Sequence, residues 1–339
     1  MIVTNSLTGG GAERSMNLVA NELSKRKWQV ALVPINSSSP DLIAPKCEVF
    51  EVNRTWQGGY INTLISLVKF KKIVKFWRPD VVILNTDLPE FFGAVLILRC
   101  KLVAVEHINH PWLTRRVFGR MIRWLLKIKK TSWVTVSDHL SIWPSGNSPQ
   151  KIIANAISSE DLSILSREPE KRRTAIDRLV FVGRLAVQKR PEWLLEIAKQ
   201  TCLPIDFIGA GTMMESLIAE TKLNNLDANF QGHVLHPWTL FREGDLLVVP
   251  SEYEGDGLVI IECIRMSIPL LVSDIPEFRR FQFPDKHYCL KVSDFVDRIK
   301  EHEMNLEELI VPYDIANRIL DGRRISKVGN CWESLLSSI

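Results

Sequence analysis

The segment GGGAER, Gly9 to Arg14, follows a short apolar run and opens a helical pattern. Gly10 and Gly11 leave backbone N–H groups bare at the positive end of that helix, where an anionic group is the natural occupant and a tight strand-to-helix turn is an equal reading. FVGRLAVQKRPE, Phe181 to Glu192, places Arg184 and Lys189 in the loop before a helix that has Pro191 at an early position. A planar guanidinium and a compact ammonium together suit a diphosphate, although basic residues in such loops are more often simply solvated. In PSEYEGDGLVIIEC, Pro250 to Cys263, Glu254 lies in a loop and Glu262 follows eight residues on, in about the second turn of a helix entered through Gly255 and Gly257. Both carboxylates can therefore point at one ligand near a helix N-terminus. Ile260, Ile261 and Ile264 surround Glu262, so its carboxylate needs partners, and a pair of ribose hydroxyls would serve as donors. His107, in VEHINH, can donate to a sugar hydroxyl or a polarised oxygen, though a lone histidine is more often structural and His110 carries less weight still. IGAG, Ile208 to Gly211, supplies Gly209 and Gly211 as a second turn where a base or phosphate can approach closely.

These segments need strands to end beside them. Short β-branched runs alternate with helical patterns throughout, the signature of parallel sheets covered by helices on both faces. The first series has strand candidates Met1 to Asn5, Gln29 to Ile35, Asp80 to Leu84, Lys101 to Glu106, Trp133 to Val136 and Lys151 to Ala154, with helices over Ala12 to Lys27, Ile61 to Trp77 and Trp112 to Ile128. A second has strands at Arg178 to Val182, Pro204 to Ile208, Ala228 to Phe230, Asp245 to Val249 and Leu270 to Ser273. The reading is α/β, with two facing doubly wound Rossmann-like domains at residues 1–160 and 178–322, a polar linker at 161–177 and a final helix over 323–339 that returns to the first domain. Open α/β sheets bind ligands at the carboxyl ends of their strands, so an interdomain cleft is expected to hold the site.

Length and composition agree with two domains: the chain has 339 residues, 46% of them hydrophobic and 24% charged. No run approaches the roughly 18–20 apolar residues of a membrane span, and the first residues lack the basic start of a secretory signal, so a cytoplasmic protein is expected. Six widely spaced cysteines fit neither a zinc site nor a disulfide framework and read as reduced core filler. The net charge of +4 conceals an asymmetry, because residues 1–150 carry 20 Lys and Arg against 10 Asp and Glu while the remainder is acidic. The basic half is expected to meet something anionic.

Taken in order, GGGAER, the EH of residues 106–107, GRLxxxKRP, IGAG and SxxEGxGLxxxE resemble a GT-B fold glycosyltransferase of family 4 across essentially the whole chain. KIIANAI, Lys151 to Ile157, stands where relatives carry a closing Asn-Gly-Ile. The resemblance implies a retaining, metal-free hexosyltransferase that uses a nucleotide sugar, with uridine as its base, and a lipid-linked or polysaccharide acceptor of the lipopolysaccharide or capsule kind. It implies that Arg184 and Lys189 neutralise the diphosphate, Glu262 holds the ribose and Glu254 contacts the donor sugar. It also implies that His107 bonds that sugar and that Gly10 and Gly11 admit donor phosphate or acceptor, with Gly209, Gly211, Gly257 and Leu258 completing the donor site. No cofactor is implied, since the nucleotide sugar is a substrate. Asp256 stands where relatives have Phe, and either an N-cap for the next helix or a hydroxyl contact to the donor sugar is expected of it.

Between Glu106 and Asp138 there is no acidic residue. Helical spacing groups Arg116, Arg120, Arg123, Lys127 and Lys130 on one face, which can lie on the anionic inner surface of the cytoplasmic membrane while Val117, Met121, Leu125 and Ile128 pack on the sheet. The same helix can equally solvate its charges. An epimerase or hydrolase of the same fold, or a binding partner that has lost catalysis, are the competing readings; nucleic acid is not expected, because no stacking platform accompanies the basic helix.

Overall fold

The computed structural model describes residues 1–7, 10–37, 45–55, 59–108, 111–112, 115–157, 175–234 and 236–339. Two units emerge, Met1–Ser159 with Gly322–Ile339, and Glu160–Asp321. Most of the polar stretch expected as a linker, and with it Gly9 and His110, lies outside the described residues. Its last residues do not behave as a linker: Ile176 is buried in the second unit's core and its N–H donates to the Glu303 carbonyl. An isolated apolar residue in a charged stretch gave too little periodicity to show this.

The first unit is built from β1 (Ile2–Thr4), α1 (Gly11–Lys25), β2 (Ala31–Pro34), β3 (Glu48–Val49), α2 (Tyr60–Trp77), β4 (Val81–Asn85), α3 (Asp87–Val95), β5 (Lys101–Glu106), α4 (Arg116–Ile128), β6 (Ser132–Thr135) and β7 (Lys151–Ile152). Its strands pair in parallel in the order β3-β2-β1-β4-β5-β6-β7. Runs such as VVIL form strands buried on both faces, because helices cover each side. One face carries α1 and the last helix, whose Trp332 and Leu335 pack with Val19 and Leu23. The other carries α2, α3 and α4, joined by ring contacts of Phe70 with Phe92 and of Phe91 with Phe118.

In the second unit the elements are β8 (Arg178–Val182), α5 (Glu192–Thr201), β9 (Ile205–Ile208), α6 (Met214–Leu223), β10 (Ala228–Gly232), β11 (Asp245–Val249), α7 (Leu258–Arg265), β12 (Leu270–Ser273), α8 (Pro276–Arg279), β13 (Tyr288–Cys289), α9 (Val292–Glu301) and α10 (Tyr313–Asp321). The parallel order is β10-β9-β8-β11-β12-β13. Helix α11 (Ile325–Ser338) then belongs to the first unit. Of the cysteines, Cys263 and Cys289 are core residues, whereas Cys202 is exposed and the other three are half-buried, so core filling describes only two.

Candidate functional site

In the second unit three loops at the carboxyl ends of β8, β9 and β11 come together. Gly183 follows β8, and a short 3-10 turn, Val187–Lys189, presents Lys189. Its ammonium forms an ion pair with Glu254 Oε1, which also accepts from Ser251 Oγ at 2.9 Å. Gln188 fastens the same two loops: its Nε2 donates to the Tyr253 carbonyl at 3.0 Å, and its own carbonyl accepts from Glu252 N–H at 2.9 Å. Arg184 is exposed, with one long contact of 3.5 Å to Gln188 Oε1. An exposed cation and a half-buried one thus stand at one strand end, in an arrangement able to receive two phosphates.

Glycine at 209 and 211 has a different cause from the one expected. A side chain at Gly209, where φ is +151°, would strike the Gly183 carbonyl, and one at Gly211 would strike the Leu185 carbonyl. Their backbones are approached by the β8 loop itself, so IGAG is explained by loop packing before any ligand is invoked.

Helix α7 begins at Leu258 after Gly257, which is the N-cap residue at φ +66° and makes no side-chain cap bond. The N-cap expected of Asp256 is therefore corrected. Asp256 is buried, and its Oδ1 accepts from Arg280 Nη2 at 2.6 Å, while the Asp256 carbonyl accepts from the same nitrogen at 2.8 Å. A buried carboxylate takes the charged partner in reach over a neutral N–H. Arg280 follows α8 and lies 24 positions away, so no local motif announces it. One turn into α7, Glu262 is half-buried, and its Oε2 accepts from Trp238 Nε1 at 2.9 Å. That bond fixes the carboxylate plane. Trp238, in the HPWTL turn, was signalled in the sequence only as an indole beside a strand.

The first unit gathers a separate set. Gly10 is the N-cap of α1 and Gly11 its first residue, and a side chain on Gly10 would meet the Glu13 carboxylate, which folds back over that helix end. After β5, His107 Nε2 lies 2.6 Å from Asn85 Oδ1. Asn85 ends β4 fully buried, and its Nδ2 donates to Thr4 Oγ1 at 3.3 Å and the Ala12 carbonyl at 3.4 Å. Because a carbonyl only accepts, the amide nitrogen faces Ala12 and the amide oxygen faces the ring, so Nε2 carries the proton. A neutral frame at the ends of β1, β4 and β5 thus orients His107. An asparagine closing the apolar run VVILN was the available clue.

Arg123 is not on a basic outer face. It is 4% exposed, with Nη2 and Nε donating to Glu90 at 2.6 and 3.0 Å, a further bond to Glu106, and its guanidinium over the Trp133 ring. Trp112 Nε1 adds a bond to Glu90 at 2.9 Å. One guanidinium serves two buried carboxylates: burial pushes Glu90 up and pushes Glu106 up to about 8, Arg123 opposing both. Helical spacing groups charges but does not say which way the helix is turned. The exposed arc of α4 runs through Arg116, Arg120 and Lys127 and also through Val117, Met121, Trp124 and Ile128, while Leu125 is half-buried. The row expected to pack on the sheet is thus largely exposed. Lys130, just past the helix, is exposed as well.

Comparison with known proteins places both units. Residues 9–140 match the family described as Glycosyltransferase Family 4, and residues 176–301 the one described as Glycosyl transferases group 1. The O-antigen biosynthesis glycosyltransferase WbnH of Escherichia coli is 25% identical over 81% of this chain and 80% of its own. A GalNAc-alpha-(1->4)-GalNAc-alpha-(1->3)-diNAcBac-PP-undecaprenol alpha-1,4-N-acetyl-D-galactosaminyltransferase of Campylobacter jejuni is 21% identical over 98% and 97%. Among solved structures, Anabaena HepE in complex with UDP and glucose aligns with a TM-score of 0.78 at 15% identity, over 100% of this chain and 99% of that one.

Proposed function

The chain belongs to the GT-B glycosyltransferases of family 4, and on that premise we propose that it is a retaining enzyme moving a hexose from a UDP-sugar to a lipid-linked oligosaccharide or surface polysaccharide. The observation that carries this reading is the pairing of Lys189 with Glu254 beside Arg184, with Glu262, one turn into α7, held by Trp238. These groups meet three parts of one donor. Lys189 and Arg184 neutralise the diphosphate, Glu262 accepts from the ribose hydroxyls, and Glu254 contacts the sugar. HepE's complex with UDP and glucose supports the choice of donor class, and the undecaprenol-linked name of the Campylobacter relative supports a lipid-linked acceptor.

In the reaction the bond from the sugar's anomeric carbon to the phosphate oxygen breaks as the acceptor oxygen bonds to that carbon on the same face. The departing phosphate takes the acceptor's proton. Negative charge grows on the diphosphate as it leaves, so Lys189 and Arg184 act more strongly on the transition state than on the ground state. Two cations supply the countercharge a divalent ion supplies elsewhere, and no metal is required. His107, oriented by Asn85, hydrogen-bonds a sugar hydroxyl. Gly10, Gly11, Gly257 and Leu258 bring backbone close to the ligands.

No helix among the described residues is long and apolar enough to cross a membrane. Exposed Arg116, Arg120, Lys127 and Lys130 favour reversible attachment to the anionic inner face of the cytoplasmic membrane, each contributing roughly 1 kcal/mol. NMR of the product formed from a UDP-sugar in EDTA tests the chemistry: retained anomeric configuration and full activity are expected. An inverted anomer or loss of activity contradicts the mechanism.

A further inference from the structure

Helix α2 was read from the sequence only as a helical pattern, and it exposes an unusual surface. Tyr60, Ile61, Leu64, Ile65 and Val68 are all exposed, from 50% to 93%. Their spacing makes one stripe over the first two turns and a half, and the same face continues as Lys71, Lys72 and Lys75, also exposed. The inward side is Ser66, Phe70 and Val74, so the stripe is not a core face left uncovered by a rotated helix. Single exposed apolar residues need no explanation, but five on adjacent turns form a contiguous patch.

Charge says what the patch meets. No acidic residue occurs between Glu51 and Asp80, a stretch that holds Arg54, Lys69, Lys71, Lys72, Lys75 and Arg78. On the same side of the first sheet, α4 repeats the pattern, with its exposed apolar row beside Arg116, Arg120 and Lys127. The two helices share one layer through α3. Each crosses from the carboxyl end of one strand to the start of the next, so the apolar half of α2 and the first turn of α4 both lie at the end of the sheet that carries Gly10 and His107. Burial, and then repulsion from Arg115, lowers the Arg54 guanidinium, which marks cations gathered there.

We infer that α2 inserts its Tyr60-to-Val68 stripe into the interfacial region of an anionic bilayer, with Lys71, Lys72 and Lys75 at the phosphate level and α4 lying alongside. An apolar row flanked by acid-free cations is what an interfacial helix requires, whereas a protein partner with an apolar groove would not call for the unbroken positive flank. This rests on the reading of a membrane-borne acceptor and deepens it, because attachment becomes apolar as well as electrostatic and therefore outlasts high salt.

Co-sedimentation of the full chain with phosphatidylglycerol/phosphatidylcholine vesicles at about 0.1 M and about 0.5 M NaCl decides the matter. Wild type is expected to stay bound at the higher salt, and the triple variant Ile61→Ser, Leu64→Ser, Ile65→Ser to lose about tenfold or more in partitioning at both, with an unchanged melting curve. Arg116→Gln, Arg120→Gln, Lys127→Gln should lose binding to anionic vesicles mainly at low salt. If the α2 variant binds like wild type and salt strips both, the inserted stripe is wrong while charge-driven docking stands. If wild type binds no vesicle, both fall. A concentration-dependent dimer in light scattering that the α2 variant abolishes would assign the face to a second copy and overturn the inference.

Discussion

The two units place charge at the carboxyl ends of their sheets in opposite ways. In the second unit, Lys189, Arg184 and Glu262 remain partly or wholly accessible, and their partners come from neighbouring loops. In the first unit, Arg123 with Glu90 and Glu106 is sealed in the core, and among the described residues near the strand ends His107 sits in a neutral amide frame. Lys189 keeps part of its surface open to a ligand's phosphate although Glu254 beneath it is buried, whereas the Arg123 cluster is closed on both sides and cannot be opened without stranding a charge. The same residue types therefore stand partly open to a ligand in one unit, beside the buried Asp256–Arg280 pair, and are closed off in the other.

The sharpest way to break that contrast is Arg123→Gln. It leaves buried Glu90 and Glu106 without the guanidinium that both bond, and about 3–5 kcal/mol of stability should go with it, measured by urea unfolding. A loss below about 1 kcal/mol would show that the cluster is not structural. Lys189→Ala should instead cost less stability than Arg123→Gln, since buried Glu254 keeps its bond from Ser251, and should lower kcat by about a hundredfold if it acts on charge that develops in the transition state. Equal turnover in wild type and variant would remove Lys189 from the diphosphate.

Smaller effects refine the picture. Trp238→Phe keeps an aromatic side chain, smaller than the indole, and removes the donor to Glu262, so UDP affinity should fall by a few-fold, corresponding to about 1 kcal/mol. Calorimetry with unaltered affinity would mean that Glu262 needs no orienting partner. Glu106 is held above its usual range by burial, and the sign follows: the folded state keeps a proton that the unfolded state has already released. Its contribution is fully present below the ordinary carboxylate value near 4.5 and is lost as pH rises through about 8. Melting of the first unit should accordingly decline over that window, and Glu106→Gln should flatten the decline.

Much of this was legible in the sequence. Buried parallel strands announce themselves as short β-branched runs, and the loop motifs that carry Lys189 and Glu254 are ones the structure joins by an ion pair. Two-residue strands such as β3 and β13 carry too few residues for any period to register. Helix α4 starts at Arg116, later than the pattern suggested, because Trp112 takes φ +60° and turns its indole into the core. Partners distant in sequence were hidden altogether. Arg123 meets Glu90 across 33 positions and Asp256 meets Arg280 across 24, and nothing in local spacing encodes such pairs.

The central claim is that the second unit reads a nucleoside diphosphate through Lys189 and Glu262. Isothermal titration of UDP into wild type, Lys189→Ala and Glu262→Ala tests it most directly. The account predicts saturable binding by wild type, with a loss of about 1–3 kcal/mol for Glu262→Ala and a comparable loss for Lys189→Ala. Folded variants that bind UDP as tightly as wild type would contradict it.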